Sequence, residues 1–138
     1  MTYILDTSFV GAMIIPDEND REIEKLHDTI NSEDVRYAPQ LLWYEIANIF
    51  KNLIRRKRFT RDRVIELMPY LETLDITTDF ESGVNYSQKL LRLSSAYDIN
   101  SYDAAYLELA ERKKAVLCTL DSSLKIAAKK HGIKVLGA

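Results

Sequence analysis

Tyr3-Ile4-Leu5-Asp6-Thr7-Ser8-Phe9-Val10-Gly11-Ala12-Met13-Ile14-Ile15 is the stretch whose reading decides the fold. Three apolar residues, too few for a helix, run into an acid. Two hydroxyl residues and a longer apolar segment follow. This is a strand handing over to a helix, with a carboxylate at the joint where helix N-caps are favoured. The same grammar returns near the other end, where Val116-Leu117-Cys118-Thr119-Leu120 closes on Asp121 and Ser122-Ser123-Leu124 begins a new helical period.

Between these two points, short apolar runs alternate with longer segments of helical period. Strands are predicted over 3–5, 36–38, 74–77, 115–120 and 134–136. Helices are predicted over 7–15, 20–31, 40–57, 61–73, 80–97, 102–114 and 122–131. That alternation predicts an α/β sandwich around a mainly parallel sheet. Asn19-Asp20-Arg21-Glu22 reads as a helix start, with an acid three residues after the cap. His131-Gly132 reads as a helix end: Gly132 can turn left-handed, and nearby lysines suit the helix's negative pole. In open parallel sheets, ligands gather beyond the carboxyl ends of the strands, where Asp6 and Asp121 both fall.

At 138 residues the chain is long enough for one domain with a sizeable core. With 46% hydrophobic residues, three prolines and four glycines, it has no composition that favours disorder. No stretch approaches the roughly 20 apolar residues of a membrane span. The first residues lack the basic start and long apolar run of a signal peptide. The lone Cys118 has no internal disulfide partner, so a cytoplasmic setting is expected. The net charge of −2 argues against a molecule that is basic all over. Yet Lys51, Arg55, Arg56, Lys57, Arg58, Arg61 and Arg63 crowd into thirteen positions with one acid, Asp62. Such a patch fits an anionic partner, and it equally fits a solvated helix end.

Four acids carry the chemistry. Asp6 and Asp121 would cap helices whether or not they did anything else. Thr7 and Ser8 beside Asp6, and Thr119 two residues before Asp121, are placed to orient a carboxylate. Asp103 sits in the first turn of its helix, where the dipole alone favours an acid. Glu45 is harder to explain away. On a helix its neighbours are Leu41, Leu42, Asn48 and Ile49, so it is partly desolvated and needs either a cationic partner or a ligand. Asn48, one turn on, is a candidate to orient it. Brought together, the four would repel one another unless relieved by protons or by a hard cation.

At these residues the chain resembles the PIN-domain ribonucleases, and among them the VapC toxins of bacterial and archaeal toxin–antitoxin pairs. Leu5-Asp6-Thr7-Ser8 matches the first acidic motif, and Glu45-Ile46-Ala47-Asn48 the second. Tyr102-Asp103-Ala104-Ala105-Tyr106-Leu107, with Leu109-Ala110, matches the third and is the most specific of the four. Thr119-Leu120-Asp121, followed by Leu124 and Ala127-Ala128, resembles the fourth. The resemblance implies one PIN domain over residues 1–138, in a three-layer α/β/α sandwich with a central parallel sheet. It implies an acidic pocket holding Mg²⁺ or Mn²⁺, cleavage of RNA, a homodimer, and silencing by a cognate small antitoxin protein. The basic stretch Arg55, Arg56, Lys57 and Arg58 is no part of that signature. It is a candidate track for RNA phosphates.

The ligand chemistry agrees with the resemblance. Carboxylate oxygens suit Mg²⁺ and Mn²⁺, and His27 and His131 lack the spacing of a zinc site. Asp6 and Asp103 are expected to hold the principal ion, with Glu45 and Asp121 contributing directly or through water. Activated water would then attack the phosphodiester, and Asp103 or Glu45 would take its proton. The alternatives are a PIN-like protein that binds or processes RNA without being a toxin and, from another class, a Mg²⁺-binding phosphoacceptor receiver domain. The receiver needs an acid at a mid-chain strand end, whereas Glu45 lies in a helical pattern. No phosphate-cradling glycine loop is present, which disfavours a nucleoside triphosphatase.

Overall fold

A computed structural model describes residues 1–16 and 21–138. Four strands, β1 (Thr2–Leu5), β2 (Val35–Pro39), β3 (Ile76–Asp79) and β4 (Val116–Cys118), form a sheet in the order β3-β2-β1-β4. Every pairing is parallel: Ile4 lies opposite Tyr37 on one side and Leu117 on the other. Each crossover is helical. α1 (Thr7–Ile14) and α2 (Arg21–Asp28) join β1 to β2. α3 (Leu41–Arg55), α4 (Arg61–Leu67) and a 3₁₀ segment (Met68–Leu74) join β2 to β3. α5 (Val84–Tyr97) and α6 (Ser101–Lys113) lead to β4, and α7 (Ser122–Lys130) follows it.

The period of two along β1 builds a core on each face. Tyr3 and Leu5 point into a cluster with Phe9, Val10, Leu42, Ile46, Phe50, Leu67 and Cys118. Ile4 points the other way, to Leu107, Leu109, Leu117, Leu124 and Val135. Helices therefore cover both faces, and the three-layer α/β/α arrangement is the one expected. Ala104, Ala105 and Ala110 on α6 are buried, and their small side chains let that helix lie close to β1 and β2. Ile4, Leu107 and Leu117 have no exposed surface; each is worth roughly 2 kcal/mol in surface removed from water.

Several predicted boundaries move, each for a local reason. The helix over 61–73 breaks after Leu67, where Pro69 enters the next turn and the chain tightens to 3₁₀. Asp75 turns left-handed (φ 50°), so the third strand starts at Ile76 rather than Leu74. The helix expected from Phe80 begins at Val84, because Gly83 sits at φ 99° and breaks the run. The strand over 134–136 is reduced to a single parallel bridge between Leu117 and Val135. The expected helix start at Asn19-Asp20 lies outside the described residues. Gly132 does turn left-handed after α7 (φ 79°), as its position predicts.

One ionic cluster locks the helical layer onto the sheet end. Arg112 of α6 donates to both oxygens of Asp79, at 3.0 and 2.7 Å, and to Glu108 at 2.7 and 3.2 Å. Glu108 is only 3% exposed, so Arg112 neutralises a charge that would otherwise be costly to bury. The same contact holds the Asp79 carboxyl below its usual range.

Candidate active site

The strand order changes direction at β1: β2 and β3 lie to one side of it, and β4 to the other. In such sheets the usual ligand position is the crevice beyond the carboxyl ends of the strands at that reversal. Asp6 follows directly on β1 there. Its backbone N–H bonds to Cys118 at 3.1 Å, which ties the end of β1 to the end of β4. Its side chain caps α1: Oδ1 accepts from Phe9 N at 3.0 Å and from Ser8 Oγ at 2.6 Å. Oδ2 accepts from the Thr119 hydroxyl. At 5% exposure, burial raises the Asp6 pKa; these donors lower it, and Asp121 raises it again. The capping role and an electrostatically loaded position coexist in one carboxylate.

Ser8 and Thr119 also bind the far loop. Ser8 Oγ accepts from Leu120 N at 2.9 Å, and Thr119 Oγ1 accepts from Asp121 N at 3.0 Å. Asp121 is exposed and caps α7 through Leu124 N at 2.8 Å. The two predicted capping acids thus sit at the ends of adjacent strands, β1 and β4, with their loops cross-linked by hydroxyls.

Among the described residues, Glu45 forms no ion pair with a lysine or arginine. Its Oε1 accepts from Thr7 Oγ1 at 2.8 Å and from the Tyr106 hydroxyl at 2.5 Å. Thr7 and Tyr106 are themselves 2.8 Å apart. Asn48, exposed one turn along α3, borders the same cavity as Glu45. The orienting bonds come instead from the two hydroxyls, which approach from α1 and α6. Tyr106 was legible only as a core residue. Its position three residues after Asp103, on one helical face, is the signal that points its hydroxyl towards the acids.

Asp103, like Asp6, is raised above the ordinary carboxylate range. Asn100 caps α6 by accepting from Asp103 N at 2.8 Å, which places the side chain in the first turn, facing the crevice. Burial pushes its pKa up to about 6, and the charges of Asp121, Asp6 and Glu45 add to the rise. Asp103 is therefore near enough to Asp6, Glu45 and Asp121 to feel all three charges. Among the described residues, none of the four forms an ion pair with lysine or arginine. Arg55, Arg56, Lys57 and Arg58 lie elsewhere, exposed at the far end of α3. Ten residues separate Glu45 from Arg55, about 15 Å along the helix axis.

The histidines take no part. His27 packs against the Phe9 ring, and His131 bonds to Tyr97 at 2.5 Å and Glu111 at 2.6 Å. The donor set at the crevice is all oxygen, which fits a hard divalent cation. Among the described residues, no three His, Cys, Asp or Glu side chains are grouped closely enough to hold an ion by themselves. Mg²⁺ does not require that: it keeps several waters and is commonly bound through one or two carboxylates together with substrate phosphates.

Residues 3–130 match the PIN domain. The chain belongs to the PIN domain family. One relative is ribonuclease VapC3 of Pyrobaculum aerophilum, 25% identical over 124 residues that span 90% of this chain and 92% of that protein. The crystal structure of PAE2754 from Pyrobaculum aerophilum superposes with a TM-score of 0.70 at 20% identity, covering 92% of this chain and 79% of that one. A toxin–antitoxin complex from Klebsiella pneumoniae gives a TM-score of 0.57 at 16% identity, with 87% of each chain covered. In this PIN domain the four acids lie in four separate segments: Asp6 after β1, Glu45 in α3, Asp103 in α6 and Asp121 after β4.

Proposed function

We propose that this PIN domain is a Mg²⁺- or Mn²⁺-dependent endoribonuclease and the toxin of a toxin–antitoxin pair. The observation that carries the reading is that the charges of Asp121, Asp6 and Glu45 all bear on the half-buried Asp103, while among the described residues none of the four pairs with a lysine or arginine. Carboxylates so arranged resist joint ionisation unless a cation joins them. The 25% identity to a VapC ribonuclease supports RNA as the substrate class. The likeness to a chain from a toxin–antitoxin complex supports a small antitoxin as partner. A homodimer is part of the same proposal.

Asp6 and Asp103 would hold the ion, with Glu45 and Asp121 directly or through water. When bound, a divalent ion supplies charge neutralisation at the scissile phosphate and lowers the pKa of an attacking water. The chain's own residues position the rest. Ser8, Thr119 and the Phe9 amide fix the Asp6 carboxylate, so it cannot swing away as a ligand arrives. Thr7 and Tyr106 fix Glu45 in the same way. Two hydroxyls already occupy Glu45 Oε1, whereas only repulsion and burial act on Asp103. Asp103 or Glu45 would accept the water's proton. The basic turn Arg55 to Arg58 would hold phosphates further along the strand.

Asp6→Asn tests the reading, because it keeps the shape of the side chain and removes its charge. Cleavage of RNA in Mn²⁺ should fall by about a hundredfold or more, with the fold intact by circular dichroism. EDTA should abolish wild-type cleavage. Undiminished cleavage by the variant would remove Asp6 from the mechanism. Sequencing of RNA ends after induction would name the target, and purification with the product of any adjacent small gene would test the antitoxin.

A further inference from the structure

Each inward acid of the two central motifs is preceded by a tyrosine that points outward: Tyr44 before Glu45, and Tyr102 before Asp103. Both are large hydrophobic side chains left in solvent, Tyr44 at 65% and Tyr102 at 60% exposure. They do not stand alone. A cavity of about 450 Å³ runs between them and includes Glu45 and Asn48. A second cavity of about 300 Å³ shares the same Leu41, Tyr44 and Tyr102 walls and continues away from the acids towards Tyr86, Leu90 and Gln40. The two make one cleft, with Glu45 at one end and aromatic rings at the other. Asp79 and Glu81 also line the aromatic end, where Arg112 binds both oxygens of Asp79.

We propose that the aromatic end is a nucleobase subsite, which receives one unpaired base of the strand whose phosphate lies at the acids. The inference deepens the nuclease reading and rests on it for the position of the phosphate. A cleft walled by aromatic rings and leucines, with an amide from Gln40, matches what a splayed base needs: a face to stack on and a donor–acceptor group at its edge. Burial pushes the Tyr86 phenol up to about 12, so it keeps its proton and remains a donor at working pH. Its adjacency to Glu45 is the decisive feature, since base and phosphate of one nucleotide are neighbours. A base still paired in a duplex cannot enter, so the subsite selects single-stranded or loop RNA.

Binding is read on the full chain in Ca²⁺, an oxygen-seeking cation that neutralises the acids, with the probes checked by gel so that only uncleaved RNA is scored. The probes are short single-stranded oligoribonucleotides of each base and an abasic oligonucleotide of the same length and charge, followed by fluorescence anisotropy. Wild type should bind at least one base-bearing probe about tenfold or more tightly than the abasic one, the size expected of base–aromatic stacking. Tyr44→Ala and Tyr102→Ala should lose that advantage and leave abasic binding unchanged; Tyr102→Trp should keep it. Both positions are exposed, so the variants should fold. Equal binding of base-bearing and abasic probes, or alanine variants that retain the preference, would overturn the subsite and leave those tyrosines to a protein contact. Cleavage in Mn²⁺ is scored separately. Base-dependent binding without cleavage would defeat the nuclease reading and uphold the subsite, whereas cleavage with base-blind binding would do the reverse.

Discussion

Asp103→Asn in the metal-free protein should make the fold more stable, against the usual direction for a change at a functional site. Burial and the charges of Asp121, Asp6 and Glu45 push the Asp103 carboxyl from its ordinary 3.8 to about 6. The folded chain thus binds a proton more tightly here than the unfolded chain does. Stability from this group is fully present below pH ~4, declines as pH rises through about 6, and is flat above that. Taken at face value the shift corresponds to ~3 kcal/mol. The side chain is only half buried, so solvent screening reduces the expected penalty to about 1–2 kcal/mol. Asparagine keeps the shape and carries no charge. In EDTA, urea unfolding followed by circular dichroism should find the variant level with wild type at pH 4. It should be about 1–2 kcal/mol more stable at pH 7.5, a gain of roughly 3–8 °C in Tm. Saturating Mn²⁺ should stabilise wild type and close or reverse that gap. A variant no more stable than wild type at pH 7.5, with no slope between pH 4 and 6, would refute the claim that these acids burden one another.

Two further predictions follow from the hydrogen-bond framework. Tyr106→Phe removes one of the two hydroxyls on Glu45 Oε1 and leaves the ring packed. Stability in urea should drop by about 1 kcal/mol, and cleavage should fall, though by less than in Asp6→Asn. Arg112→Met strands the buried Glu108 carboxylate and frees Asp79. That should cost about 3 kcal/mol or more at neutral pH. Part of the difference from wild type should vanish on strong acidification, because the Asp79 pKa that Arg112 holds down contributes stability that is lost as pH falls through it; a loss as large at about pH 2 as at about pH 7 would argue against the ion cluster as its source.

What the sequence determined by itself was whatever depends on neighbours along the chain. Period two in Tyr3–Leu5 and period 3.6 in the segments that follow specify a parallel α/β sandwich. Asp6, Thr60, Asn100 and Asp121 cap helices at the positions where short polar side chains can reach a free amide. Asp6 and Asp121 stood out because each ends an apolar run, Glu45 because it interrupts an apolar helix face, and Asp103 through the motif around it. Boundaries failed where one residue's backbone overrode the periodicity, as at Pro69, Asp75 and Gly83. The tertiary structure alone decided who holds each acid. Thr7 and Tyr106 reach Glu45 across 38 and 61 residues, and Thr119 reaches Asp6 across 113. Such pairings depend on strand register and helix packing, which no local pattern encodes. The same holds for Arg112 on Asp79, 33 residues apart. The rise of the Asp103 pKa is likewise a sum over three distant charges and a burial that exist only once the sheet has closed.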